Sequence, residues 1–249
     1  MWNVLYVMWV RQIKRYWRSK ARIIGSIGQP LLFLLAMGFG LGPVFERAGK
    51  GNYITFLAPG VMGQAILFMA IFNGVELIWD RQFGFLKETL VAPVPRFQIV
   101  LGRVLGGATI ATLQGLIVFV LTLFVGFKPQ NLLLLPLAVV LMFLIALFYT
   151  SLGTAIASLM EDFHGFQLIM NFLVMPTFFL SGALFPLESA PSVLKSISRV
   201  NPLTYGVDGL REIFSGVIQI DLANNTLLLT ICSLLLLMIC SYLFSKIEA

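Results

Sequence analysis

Glu161, Asp162 and His164 form the densest ionisable group in the 249-residue chain, and His164 is its only histidine. A carboxylate–histidine cluster can do acid–base work. This one falls in a tight turn between two apolar runs, where a solvated loop is the plainer reading. No G-x-x-x-x-G-K-[ST] segment is present to cradle nucleotide phosphates. G-x-S-x-G, H-E-x-x-H and cysteine–histidine metal spacings are absent too. No catalytic residue and no metal site is therefore expected. Cys232 and Cys240 share one apolar run. Eight helical residues separate them by about 12 Å, too far for a disulfide.

The elements that would carry any chemistry lie in a membrane. Hydrophobic residues make up 59% of the chain and charged residues 11%, against about 25% charged in soluble domains. This excludes a disordered chain, a disulfide scaffold and an ordinary soluble enzyme. The net charge of +6 suits cationic segments against anionic headgroups rather than nucleic acid. Six apolar runs, residues 23–45, 54–79, 99–127, 132–160, 166–185 and 222–244, each match the roughly 20 residues a spanning helix needs. Backbone groups in lipid must be bonded within the segment, and the runs lack the alternation of barrel strands.

The expected fold is an all-α membrane protein, a single transmembrane unit with six spans. Residues 1–22 place Leu5, Tyr6, Trp9, Val10, Ile13, Tyr16 and Trp17, with Trp2, on one helical face and Arg11, Lys14, Arg15 and Arg18 roughly opposite. That pattern predicts an amphipathic helix lying in the membrane interface. A removable signal peptide is not expected, because these residues precede the first apolar run. With the N-terminus inside, eleven Lys and Arg fall on cytoplasmic segments: Arg11, Lys14, Arg15, Arg18, Lys20, Arg22, Arg81, Lys87, Arg96, Arg103 and Lys246. Six fall outside: Arg47, Lys50, Lys128, Lys195, Arg199 and Arg211. The bias puts both termini in the cytoplasm.

Ionisable groups deep in a bilayer would mark an ion path. Glu76 and Arg103 sit near span ends and are expected to snorkel to water. Mid-span polarity is neutral, at Gln64, Asn73, Gln114 and Asn171, the candidates for a substrate path. An ion-coupled secondary transporter is thereby disfavoured. In the cytoplasmic segment 81–96, Phe83, Leu86 and Leu90 predict a short helix with one apolar face, stopped by Pro93 and Pro95. Such a helix is well placed to dock on a cytosolic partner. The external segment 186–221 reads as two short helices broken at Asn201-Pro202, with Leu203, Val207, Leu210 and Phe214 on one face. It predicts a helical hairpin between spans 5 and 6, dipping partly into the outer leaflet. Gly38/Gly42, Gly102/Gly106 and Gly153/Ala157 would let helices approach closely.

Two long segments, in this order and within a six-span layout, resemble the permease subunit of type-2 ATP-binding-cassette exporters. FGFLKETLVAPVPRFQIVLGRVLGG, residues 83–107, looks like that family's coupling segment. MPTFFLSGALFPLESAPSVLKSISRVNPLTYGVDGLRE, residues 175–212, is similar to its span-5 end, with Pro186, Asn201, Pro202, Tyr205, Asp208 and Arg211 in the expected order. One departure is Gln82-Phe83 before Gly84, where many members carry an acidic residue and a serine. The PTFFLSGALFP stretch looks closer to the drug and lipid-like branch, with export of a lipid-linked glycan as the alternative. The resemblance implies a half-transporter of the plasma (inner) membrane. Two permease chains would pair, as a homodimer, above two ATPase subunits that hold the ATP and magnesium. Phe83, Gly84, Phe85, Leu86, Lys87 and Glu88, with Glu161, Asp162 and His164, would contact the ATPase. The hairpin would help close the outer side.

Overall fold

Apolar runs bounded by Pro, Gly and Asn fold into helices, and the helix ends follow that punctuation. The computed structural model describes residues 2–48, 51–91, 93–187, 190–216 and 220–247. Lys50, the side chains of Trp2 and Leu90, and hairpin positions 188–189 and 217–219 lie outside the described set. Among the described residues the chain is helical with no strand.

Helix α1 (Trp2–Arg18) turns at Ser19 into α2 (Lys20–Arg47), which carries Pro30 and Pro43 inside it. Helix α3 (Tyr53–Phe72) starts at Asn52, whose side chain accepts the Ile54 amide at 2.8 Å. The run expected as one span breaks at Asn73-Gly74 and resumes as α4 (Val75–Gln82). Gly74 lies so close to the next layer that a Cβ there would come within 2.4 Å of the Gly153 carbonyl. Gly84 takes φ +78°, a left-handed turn that opens α5 (Phe85–Val91). Pro95 caps the start of α6 (Arg96–Phe124). A short 3-10 turn (Leu132–Leu134) leads into α7 (Leu135–Leu159), and Asp162 caps α8 (Phe163–Phe179). Helices α9 (Ser192–Val200), α10 (Pro202–Ser215) and α11 (Leu222–Ser245) complete the chain.

Five stretches are long and apolar enough to cross a membrane: Lys20–Arg47, Tyr53–Gln82, Arg96–Phe124, Leu132–Leu159 and Leu222–Ser245. The sixth expected span, 166–185, is interrupted. Helix α8 ends at Phe179 after 17 residues, about 25 Å at 1.5 Å per residue. Beyond it, Ser181 bonds back to the Phe178 carbonyl and Gly182 turns the chain at φ +74°. The returning strip reaches Gly60, where a Cβ would meet the Ala183 carbonyl at 2.3 Å.

One element takes a position that hydrophobic pattern did not indicate. Helix α1 does not lie across the base of the bundle. Leu5 and Met8 meet Gly102, Trp9 and Gln12 meet Gly106, Trp9 bonds Thr109 at 3.1 Å, and Tyr16 reaches Gln114. The order runs the same way along both helices, so α1 follows α6 for several turns. The small pair Gly102/Gly106 makes this approach possible. Helix α10 buries its predicted apolar face inside the bundle. Leu203, Val207, Leu210 and Phe214 are each 0% exposed, packed on α3, α7 and α11.

The amino-terminal segment and the carboxyl-terminal segment lie at the same end of the bundle. Arg96, opening α6, donates to the Ser245 and Ile247 carbonyls at 2.6 and 2.7 Å.

Candidate functional site

At that end, two carboxylates one helical turn apart on α4 join four helices, α1, α2, α4 and α6. Asp80 accepts from Arg11 at 2.9 Å and from Arg15 at 3.2 Å, both on α1, and pairs with Arg103 of α6. Glu76 accepts from Arg22 of α2 at 2.5 Å. Arg22 also donates to Asn73 at 2.7 Å, and Asn73 donates to the Gly107 carbonyl at 3.1 Å. Glu76 and Arg103 therefore do not snorkel: they are 2% and 3% exposed and point inward to each other's neighbours. Charged groups next to an apolar core are tolerated here because each is paired. Burial pushes the Arg11 guanidinium below its ordinary range, and Asp80 pulls it back up.

The same base carries the short helix expected to dock a partner. Leu86 is its anchor, at 3% exposure. The ring of Phe85 lies under the Arg11 guanidinium, 3.7 Å from ring centroid to Cζ. Phe83 is outside the helix and 83% exposed, so the predicted Phe83–Leu86–Leu90 face does not form as drawn. The break at Gly84 rotates Phe83 away from Leu86. Lys87 and Glu88 face outward.

The turn at Glu161, Asp162 and His164 lies beside this segment, and all three residues are exposed. Arg81 donates to the Met160 and Ser158 carbonyls at 2.8 and 3.2 Å, and Gln82 to the Glu161 carbonyl at 3.3 Å. Trp79 stacks on Phe163. Asp162 is a helix cap: its carboxylate accepts the Gly165 amide at 2.7 Å, which holds its pKa below the usual carboxylate range. A groove of about 710 Å³ runs between the two segments, lined by Arg81, Lys87, Glu161 and Lys246 among others.

Of the expected path residues, Gln64 and Gln114 share one cavity of about 230 Å³ between α2, α3 and α6. Its walls are Pro30, Ala65, Phe68, Met69 and Phe72, with Arg22, Ser26 and Gln29 at the polar side. Gln114 is saturated, accepting from Ser26 and Tyr16 and donating to the Ser26 carbonyl. Gln64 keeps a buried Oε1 without a partner. Asn73 sits behind the cavity, linked to it through Arg22. Asn171 is exposed on α8 and does not join the group.

At the opposite end the hairpin residues act as fasteners. Asn201 caps α10 by accepting the Leu203 amide at 3.0 Å and donates to the Thr177 carbonyl at 2.6 Å, while Pro202 supplies the first helical residue. Tyr205 donates to the Arg199 carbonyl at 2.5 Å. Asp208 accepts the Ile220 amide and the Asn225 side chain. Arg211 reaches the Gly182 carbonyl at 3.2 Å and lies 4.0 Å over the Phe56 ring. Pro186 is half-buried in the returning strip.

The sequence profile of the ABC-2 type transporter family matches residues 3–215 of this chain. The chain belongs to that family. The permease is 28% identical to nodulation protein J of Rhizobium leguminosarum bv. trifolii, over 90% of this chain and 84% of the relative. It is 30% identical to the putative transport permease ycf38 of Pyropia yezoensis, over 83% and 72%. It is 24% identical to the inner membrane transport permease YadH of Escherichia coli K12, over 98% and 96%. It is an integral membrane protein and a transport permease.

Hydrophobic pattern missed the ionic base of this permease. Asp80, Arg11, Arg15 and Arg22 gave a signal nonetheless. Glu76 and Asp80 stand at i, i+4, as do Arg11 and Arg15, so each pair presents one charged face.

Proposed function

We propose that the permease is the membrane half of an ATP-driven exporter moving an amphipathic, drug-like or lipid-like cargo outward from the cytosol or inner leaflet. Two permease chains pair as a homodimer in the plasma (inner) membrane, both termini cytoplasmic. Two cytosolic ATP-binding-cassette subunits bind beneath and hold the ATP and magnesium. The observation that carries this reading is the two-sided character of α5. Outward it offers Lys87 and Glu88, with the exposed Phe83 just before it, beside the exposed Glu161, Asp162 and His164. Inward it is tied by Leu86 and by Phe85 to Arg11, hence to Asp80 and Arg103. A push on α5 therefore moves α1, α4 and α6 together. That motion drives export only if the ATPase interacts differently with the two permease arrangements. Gly84 gives the segment a hinge-like turn at its start.

The cavity at Gln64 supports the cargo class, since its walls are apolar and its few polar groups are amides, a hydroxyl and the Arg22 guanidinium, which Glu76 neutralises. The amides of Gln29 and Gln64 also suit a hydroxyl-bearing cargo, which keeps a lipid-linked glycan as the alternative. An ion-coupled carrier is disfavoured because Glu76 and Asp80 are both engaged by guanidinium groups. The hairpin fasteners Asn201, Tyr205, Asp208 and Arg211 hold α10 as the outer closure. The test is co-purification of the permease with candidate ATPases, followed by ATPase rates across a cargo panel. Stable complex formation with cargo-stimulated hydrolysis supports the reading. Phe85→Ala or Glu88→Ala variants that insert normally yet export at full coupling would contradict the docking assignment.

A further inference from the structure

The cations of α1 outnumber what the base can neutralise. Arg11, Lys14, Arg15 and Arg18 recur at helical spacing and line one open groove of about 830 Å³ with Tyr6, Val7, Val10, Asp80 and Phe85. Among the described residues Asp80 is the sole carboxylate on that lining, and it is already shared with Arg103. Lys14 and Arg18 are exposed, and no carboxylate lies within ion-pair distance of either among the described residues. Arg11 keeps a buried Nη1 with no hydrogen-bond partner. The remaining walls are apolar and open: Tyr6 is 62% exposed and Val7 61%. The helix bearing this stripe follows the apolar α6 from Gly102 towards Gln114. Exposed cations at a membrane surface attract anionic headgroups. The groove thus joins a positive stripe to exposed hydrocarbon walls.

We infer that this groove is a binding site for a membrane lipid with an anionic phosphate headgroup, whose phosphate engages Lys14, Arg18 and Arg11 while its acyl chain lies on Tyr6 and Val7. A free phosphate ion shares the headgroup chemistry but would leave the apolar wall bare. The bound lipid bridges α1 to Phe85 and so bears on how firmly α5 is held. The inference concerns binding alone and does not depend on which cargo, if any, is exported.

The purified full chain in a neutral detergent is melted, with intrinsic tryptophan fluorescence as readout, while phosphatidylglycerol, phosphatidylcholine or inorganic phosphate is titrated in. Phosphatidylglycerol is expected to raise the midpoint by several degrees, with the other two leaving it in place. Each cation near a surface adds about one kcal/mol of headgroup attraction, so Lys14→Gln/Arg18→Gln should weaken the apparent affinity roughly ten- to thirty-fold. Lys20→Gln, a neighbouring cation outside the groove lining, should not. Native mass spectrometry of the same samples should show phosphatidylglycerol retained by the parent chain and lost from the double variant. An equal shift with phosphatidylcholine, a shift with inorganic phosphate, or a double variant that binds phosphatidylglycerol as tightly as the parent would each overturn the assignment.

Discussion

The guanidinium of Arg11 lies 3.7 Å from the centroid of the Phe85 ring. One cation thus touches the short helix after α4 and, through Asp80, the two helices on either side of it. Phe85→Ala removes a cation–ring contact worth about 0.5–1 kcal/mol at a part-exposed site. Hydrogen exchange across α5 should quicken in that variant, with the rest of the bundle unchanged. Phe83→Ala, with its ring 83% exposed, should leave α5 exchange as it is. Equal effects from the two would show that the ring contact does not anchor the helix.

Asp80 faces three arginines while 4% exposed. Asp80→Ala leaves the buried Arg103 uncompensated, a loss of about 3–5 kcal/mol for a broken buried pair. The melting midpoint of the purified chain should fall far more than for Glu88→Ala, whose carboxylate is exposed. A midpoint within a degree or so of the parent would mean that the network contributes little to stability.

Composition and run length were enough to show an all-helical membrane chain, because the lipid leaves the backbone no other solution. The Leu203–Phe214 face was readable too, since the period of its apolar residues is the packing surface itself. What escaped was direction and depth. The amphipathic pattern of α1 is the same whether its apolar face meets lipid or Gly102 and Gly106. Only the glycines on α6 distinguish the two, and nothing local to α1 reports them. Asp80 was passed over because it stands at the edge of an apolar run, where a charge usually needs no partner. Residues 166–185 are uncharged and mostly apolar, so the reversal at Ser181-Gly182 was hidden by composition. The candidate site was legible as a segment, in the 83–88 stretch, but not as a structure that joins α1 to the 161–165 turn.

Asp162 gives a pH signature. The Gly165 amide depresses its carboxyl pKa in the folded chain. A depressed acid stabilises the fold above its unfolded value and loses that contribution as pH falls through the folded value. The unperturbed value is 3.8, so the cap is complete at neutral pH and fails below it. Exchange of the first-turn amides of α8, measured against Asp162→Asn at each pH, should match at neutral pH and diverge only below about pH 4. Divergence already at pH 7 would assign the carboxylate some other role.

The α1–α6 contact depends on glycine. A Cβ at Gly102 would stand 2.7 Å from the Leu5 carbonyl, and one at Gly106 2.7 Å from the Gln12 Cβ. Gly102→Ala should cost about 1–3 kcal/mol, as overpacking does, and release α1. Trypsin should then cut within residues 11–18 faster than in the parent chain. Unchanged cleavage with an unchanged midpoint would place α1 elsewhere, in the interface plane that its amphipathic pattern first suggested.

The account stands on the permease having no motor of its own. The direct test is flux of a fluorescent amphipathic cargo across vesicles containing the permease, with and without its purified ATPase partner and ATP. Transport is expected only when permease, ATPase and ATP are all present, and it should stop when Glu88 and Phe85 are both replaced by alanine. Sustained flux from the permease alone, without nucleotide, would contradict it.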